Sequence, residues 1–380
     1  MSTIGSHLLP HHPAEFLLMP SQLTLPRRRF LQNAAAGVAL APAILTGKRT
    51  AAQGLVGAGE HRFGFDHDWA KLPEPFRWQT THGVAVDPED NLYVIHEGQA
   101  DLTGHPSIFV FDPQGRLIRS FGQMFQGGGH GVDIRVEGDQ AFLYVAAYQQ
   151  AKTFAKFTLD GELVWQAYAP MASGHYASGE AAAPTKVWGR DRFLPTNFAF
   201  LPDGGFLLAD GYGAYYIHRF DRDAKWVSSF GGPGNGKGTF NLPHGIWVDN
   251  RGERPEIVVT DRAHHTLQVF SIDGEYSRTI EGFGLPANAD TWGDWLVIPE
   301  LVARVSILDK DLKTVVTLGD DVQRVLEDKS TSGGFGIRAD ASRWQDGKFV
   351  HPHDACFDSS GNLFVAEWVS TGRITKLTRV

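Results

Sequence analysis

One short pattern recurs along this chain: an alternating apolar–polar run, a turn rich in Asp, Asn and Gly, and a second alternating run. Gly83 through Val94 is one copy, with the turn at Asp87-Pro88-Glu89-Asp90-Asn91. Phe198 through Asp210 is another, turning at Asp203-Gly204-Gly205. Gly245 through Asp261 and Asp354 through Ala366 repeat it again. A period of two residues places successive side chains on opposite faces of a strand, so each copy predicts a β-hairpin. A second hairpin follows in each unit, as in Ser107 to Gly122, Ile217 to Gly231 and Leu267 to Glu275. Four strands per unit make a propeller blade.

The units open near His82, His130, Thr196, His244, Asp290 and His353, which predicts an all-β, six-bladed β-propeller with four-stranded blades around a central axis. The unit at Trp292-Gly293-Asp294-Trp295 is the most degenerate. A pair of β-sandwiches uses similar strands, but the fixed order of hairpin, turn and hairpin disfavours it. Leu242-Pro243-His244-Gly245-Ile246-Trp247-Val248-Asp249 resembles the opening of an NHL repeat. Stacked blades share one core, and no blade is expected to be stable alone.

The N-terminal segment reads differently. Arg27-Arg28-Arg29-Phe30-Leu31 precedes a short run of small and apolar residues from Asn33 to Leu45, then Lys48 and Arg49. That run is too short to span a bilayer and resembles a twin-arginine export signal. Residues 1–53 are therefore expected to be a signal segment and flexible lead, cleaved between Ala41 and Gln53, and residues 54–380 the propeller. The expected destination is the periplasm or the cell exterior, with no stable membrane insertion after signal removal. A single cysteine, Cys356, permits no intrachain disulfide, so packing alone must hold the fold. A net charge of −8 leaves no basic face for nucleic acid.

The first strand of each blade lines the axial channel, so residues just before it ring one mouth. Three of them are histidines in matching contexts: Gly129-His130-Gly131, Pro243-His244-Gly245 and Pro352-His353-Asp354. They fall in blades two, four and six, related by about a third of a turn. Three imidazoles aimed at one axial point supply three ligands and leave an open position, as catalytic zinc requires. Each can equally hydrogen-bond across the channel, and His82, also before a glycine, shows that the pattern is not exclusive.

The histidine ring, Asp210-Gly211-Tyr212 and the terminal Pro352-His353-Asp354 together resemble the lyase domain of peptidylglycine α-amidating enzymes, from about Gly83 to Thr378. The resemblance implies zinc held by His130, His244 and His353, and Tyr212 as the base on the substrate hydroxyl. It also implies a matching Arg262, and a structural calcium at the Val84 and Val132 carbonyls with Asp354. The expected reaction is cleavage of the C–N bond of a small-molecule or peptide carbinolamide. A phenol ordinarily titrates near pH 10, so it acts as a base only where cations stabilise its phenolate. Two positions depart from the family: Glu97 stands where it has arginine, and His351 where it has methionine. Glu97 is an acid, base or fourth ligand, or marks a substrate without a carboxylate there, or points to solvent from a loop. Two other readings stay open: a metal-dependent hydrolase such as a lactonase, and a non-catalytic NHL binding module.

Overall fold

The computed structural model describes residues 54–102, 104–182, 187–328 and 336–380. The expected export signal lies outside them. Gly54–Val380 forms one compact unit. Its strands assemble into six antiparallel sheets. Blade 1 comprises Thr81–Val86, Leu92–His96, Ile108–Phe111 and Leu117–Phe121. Blades 2, 3 and 4 open with Gly129–Glu137, Phe198–Phe200 and Pro243–Asp249, and blade 5 with Asp290–Trp292. The degenerate repeat is thus a real blade, its first hairpin turning through Gly293 at φ 55°.

The turns follow from side-chain chemistry. Asp112, Asp221, Asp309 and Asp358 each accept two backbone N–H bonds, two and four residues on. An aspartate that satisfies its own turn's donors closes the hairpin without help from the core.

Blade 6 differs from the expected four strands. Pro352–Phe357, Leu363–Glu367 and Arg373–Arg379 are joined by His61–Asp66 and Leu55–Ala58 from the other end of the propeller segment, giving five. Phe63 pairs with Arg379 and Phe65 with Leu377. That splice removes two open edges and closes the ring non-covalently.

The core is divided by blade. Six apolar clusters each lie between two consecutive blades: Ile95, Phe125 and Val145 between blades 1 and 2, for example, and Phe109, Phe364 and Ile374 between 6 and 1. Cys356 is buried in the last of these as a free thiol. Among the described residues no helix is long and apolar enough to cross a membrane.

Candidate metal centre and catalytic site

One backbone device places the histidines. In blades 1, 2, 4 and 6 the register between the first two strands shifts by a residue: between Thr81 and Gly83, Gly129 and Gly131, Pro243 and Gly245, and Pro352 and Asp354. The skipped residues are His82, His130, His244 and His353. A bulge leaves its extra residue out of the ladder and re-aims its side chain, here toward the axis. The following residue must let the next blade approach. A Cβ on Gly131 would lie 2.0 Å from the Thr196 carbonyl oxygen, which only glycine avoids.

The three expected ligands come together. Ring centroids of His130 and His244 are 4.7 Å apart, His244 and His353 4.7 Å, and His130 and His353 5.0 Å. Each Nδ1 faces a carbonyl of the next blade: His130 to Thr196 at 3.0 Å, His244 to Ala287 at 2.7 Å and His353 to His82 at 2.9 Å. A carbonyl only accepts, so Nδ1 carries the hydrogen and Nε2 the lone pair. Burial pulls all three imidazoles well below their ordinary pKa, which keeps them neutral. Three neutral imidazoles thus cluster in a buried site. His130 and His244 Nε2 lie 3.0 Å apart, and His353 Nε2 is buried without a hydrogen bond. Lone pairs so placed repel unless a cation sits among them, so the donor set fits a borderline ion such as zinc.

Tyr212 and Arg262 flank this cluster. Both follow the second strand of their blades, and both are buried. The Tyr212 hydroxyl lies 2.8 Å from His244 Nε2 and 3.3 Å from His130 Nε2, and Arg262 Nη1 donates to it at 3.2 Å. The Tyr212 loop is anchored by Asp210, whose carboxylate accepts from the backbone N–H groups of Leu194, Gly213 and Ala214. Burial pushes Asp210 up to about 6, against those hydrogen bonds.

Glu97 does not point to solvent, which overturns that reading. Its Oε1 accepts from Tyr148 Oη at 3.1 Å and from Gln149 Nε2 at 2.7 Å, and its Oε2 lies 3.5 Å from His82 Nε2. His351 is buried, its Nδ1 donating to the Leu301 carbonyl at 2.7 Å.

Sequence reasoning left His82 outside the site and missed Tyr148 and Trp188. His82 joins the cluster, one ring nitrogen of each of His82, His130 and His353 lying within 4.8 Å of the others. Tyr148 packs 5.2 Å from the His130 ring and 5.1 Å from Tyr212. Its place just after a second strand, shared with Glu97 and Arg262, was the available signal. Trp188, 5.4 Å from Tyr212, comes from the long connection into blade 3 and carried no signal.

Val84, Val132 and Asp354 lie one or two residues beyond the bulge histidines of their strands. They line a cavity of about 360 Å³ together with Asp133, Asn288 and Asp290. Asp354 Oδ2 accepts from the Val84 N–H at 2.9 Å, and its Oδ1 from Asn288 at 2.8 Å. Burial pushes Asp354 up to about 7 and Asp290 to about 6, and Asp133 well above the carboxylate range. Oxygen donors with this unfavourable charge suit a hard cation such as calcium.

No family model matches the sequence. Peptidyl-glycine alpha-amidating monooxygenase B of Xenopus laevis is 24% identical over 225 residues, covering 52% of this chain and 24% of that protein. NHL repeat-containing protein 3 of Homo sapiens is 26% identical over 219 residues, covering 56% of this chain and 58% of that protein. Virginiamycin B lyase from Staphylococcus aureus superposes with a TM-score of 0.50 at 12% identity, over 84% of this chain and 100% of that one. That last likeness is one of fold. The chain is a six-bladed β-propeller, similar over about half its length to an amidating monooxygenase and an NHL-repeat protein.

Proposed function

We propose that the protein is a metal-dependent lyase that breaks the C–N bond of a carbinolamide. The observation that carries this reading is the Tyr212 hydroxyl, set between His130, His244 and the Arg262 guanidinium. His130, His244 and His353 would hold the ion, and Asp354 with Val84 and Val132 a structural calcium. A zinc ion there supplies Lewis-acid polarisation of the substrate oxygen. Arg262 stabilises negative charge on the Tyr212 oxygen, which takes the proton of the substrate hydroxyl. The O–H electron pair becomes the carbonyl π bond, and the C–N pair passes to nitrogen. Nitrogen then takes the proton back from Tyr212, releasing an amide and an aldehyde. Tyr148 and Trp188 cover Tyr212 and restrict water.

Glu97 narrows which substrate fits. A carboxylate brought near it meets repulsion of about 1–4 kcal/mol, depending on the local dielectric. The preferred carbinolamide therefore lacks a carboxylate on that side, and peptidyl-hydroxyglycine is a poor substrate. The test is aldehyde release from N-hydroxyalkyl amides of varied charge, with glyoxylate as the product from the hydroxyglycine type. Tyr212→Phe should lower turnover by about 10²–10⁴-fold at unchanged metal content. An enzyme that opens lactones but releases no aldehyde would overturn the proposal in favour of a hydrolase.

A further inference from the structure

His82 is the fourth copy of the device that places the other three histidines. It occupies the same bulge, precedes a close-packed glycine as His130 and His244 do, and is 1% exposed. Its ring lies 4.9 Å from His130 and 4.5 Å from His353. The four imidazoles therefore form two triangles that share the His130–His353 edge, with His244 at one apex and His82 at the other. In one respect His82 is unlike its equivalents. They fix their rings by donating Nδ1–H to a carbonyl of the next blade, whereas neither ring nitrogen of His82 has a hydrogen bond. A buried imidazole without one is costly and calls for a partner.

Glu97 is the group within reach. Its Oε2 stands 3.5 Å from His82 Nε2, while Oε1 is held by Tyr148 and Gln149. A carboxylate at Nε2 favours the Nε2–H tautomer and leaves the lone pair on Nδ1. That is the carboxylate–histidine–metal relay by which outer groups orient ligands and raise their basicity. We propose that His82 is a fourth imidazole ligand of the axial metal, and that Glu97 is the positioning residue that orients it. This rests on the metal reading above. With His82 among the ligands, a four-coordinate ion would have no open position, and a substrate oxygen would have to compete with His82 for it.

The test uses the purified full chain, with zinc affinity measured by chelator competition and the visible spectrum recorded after loading with Co²⁺ alone. His82→Ala and the smaller change His82→Asn should each weaken zinc about 10–100-fold and alter the Co²⁺ spectrum. Glu97→Gln should weaken zinc about tenfold, in the manner of an outer-shell carboxylate. Circular dichroism of each variant confirms that the propeller persists. Wild-type affinity and an unchanged Co²⁺ spectrum in both His82 variants, with metal lost in His244→Ala, would overturn this inference and leave the three-histidine site standing. Loss of metal in the His82 variants but not in His244→Ala would overturn the four-histidine set and place the ion on His82, His130 and His353 instead. A wild-type chain that binds neither ion would overturn both readings.

Discussion

His130 and His244 face each other through Nε2 atoms 3.0 Å apart, though each already spends its Nδ1–H on a backbone carbonyl. Neither ring has a proton for the other, and the Tyr212 hydroxyl can give its hydrogen to only one of them. Such a geometry fits a ligand set. Purified protein should therefore contain about one tightly held transition-metal ion per chain. Triple replacement of His130, His244 and His353 by Ala should abolish that content, and a zinc-selective chelator should lower the melting temperature of the wild type only. Elemental analysis showing full metal in the triple variant would remove the basis for a metal site.

Gly131 tests the link between packing and ligand. The Cβ of an alanine there would meet the Thr196 carbonyl oxygen, which is also the acceptor for His130 Nδ1. Pushing blade 3 away must both overpack the interface and free the imidazole. Gly131→Ala should cost about 1–3 kcal/mol of stability and lower metal affinity as well. Denaturant melts and chelator competition read the two effects separately. A stability loss with wild-type affinity would mean that the carbonyl does not set the ligand.

Much of this site is written locally. The bulge histidines stand in closely matching contexts, Gly-His-Gly, Pro-His-Gly and Pro-His-Asp, so His130, His244 and His353 are legible from spacing. Tyr212 and Arg262 needed the family resemblance, because nothing in their neighbours fixes where a loop side chain points. His82 was seen but set aside, since alternation by blade gave a threefold answer without it. Only the structure shows His82 beside His130 and His353. The strands at Leu55–Ala58 and His61–Asp66 were not legible either. Their partner strand, Arg373–Arg379, lies at the far end of the chain, and local periodicity carries no information about such a pairing.

Glu97→Arg reverses the charge at the mouth. At saturating metal, the variant should turn over peptidyl-hydroxyglycine faster than the wild type, since an arginine attracts the terminal carboxylate that Glu97 repels. Metal affinity should fall in the same protein, because His82 loses its carboxylate. Arg338 already neighbours Glu97, and burial pushes its guanidinium down to about 10. It limits the gain. Robust wild-type turnover of that substrate, abolished by Tyr212→Phe, would show that Glu97 does not set specificity.

Export is proposed from Arg27 and Arg28, which precede the short apolar run. Replacing both by lysine should leave the protein in the cytoplasm, because the twin-arginine route reads the pair itself and not its charge. Fractionation with antibody detection measures this. Unchanged export of the Lys-Lys variant would exclude the route.

The Tyr212 loop should also be sensitive to acid. Trp226 Nε1 donates to His218 Nδ1 at 3.2 Å, and His218 Nε2 lies 2.6 Å from the Tyr176 hydroxyl, which donates to Asp210 at 2.9 Å. That chain requires a neutral His218, and burial pushes its pKa down to about 3 from 6.5, with His175 adding to the effect. The unfolded chain therefore binds a proton below pH 6.5 that the folded chain refuses. Stability due to His218 is fully present above pH 6.5 and is lost as pH falls toward 3, at about 1.4 kcal/mol per pH unit. His218→Gln should cost about 1–3 kcal/mol at pH 7, where a buried hydrogen bond is lost. Below pH 6.5 its stability should fall less steeply than the wild type's, by about that same slope. His96, likewise pushed down to about 3, keeps titrating in both proteins and leaves the difference unchanged. Denaturant melts from pH 7.5 to 4.5 compare the two curves. Parallel curves would mean that His218 already takes its proton in the folded state, and that Asp210 holds the Tyr212 loop without it.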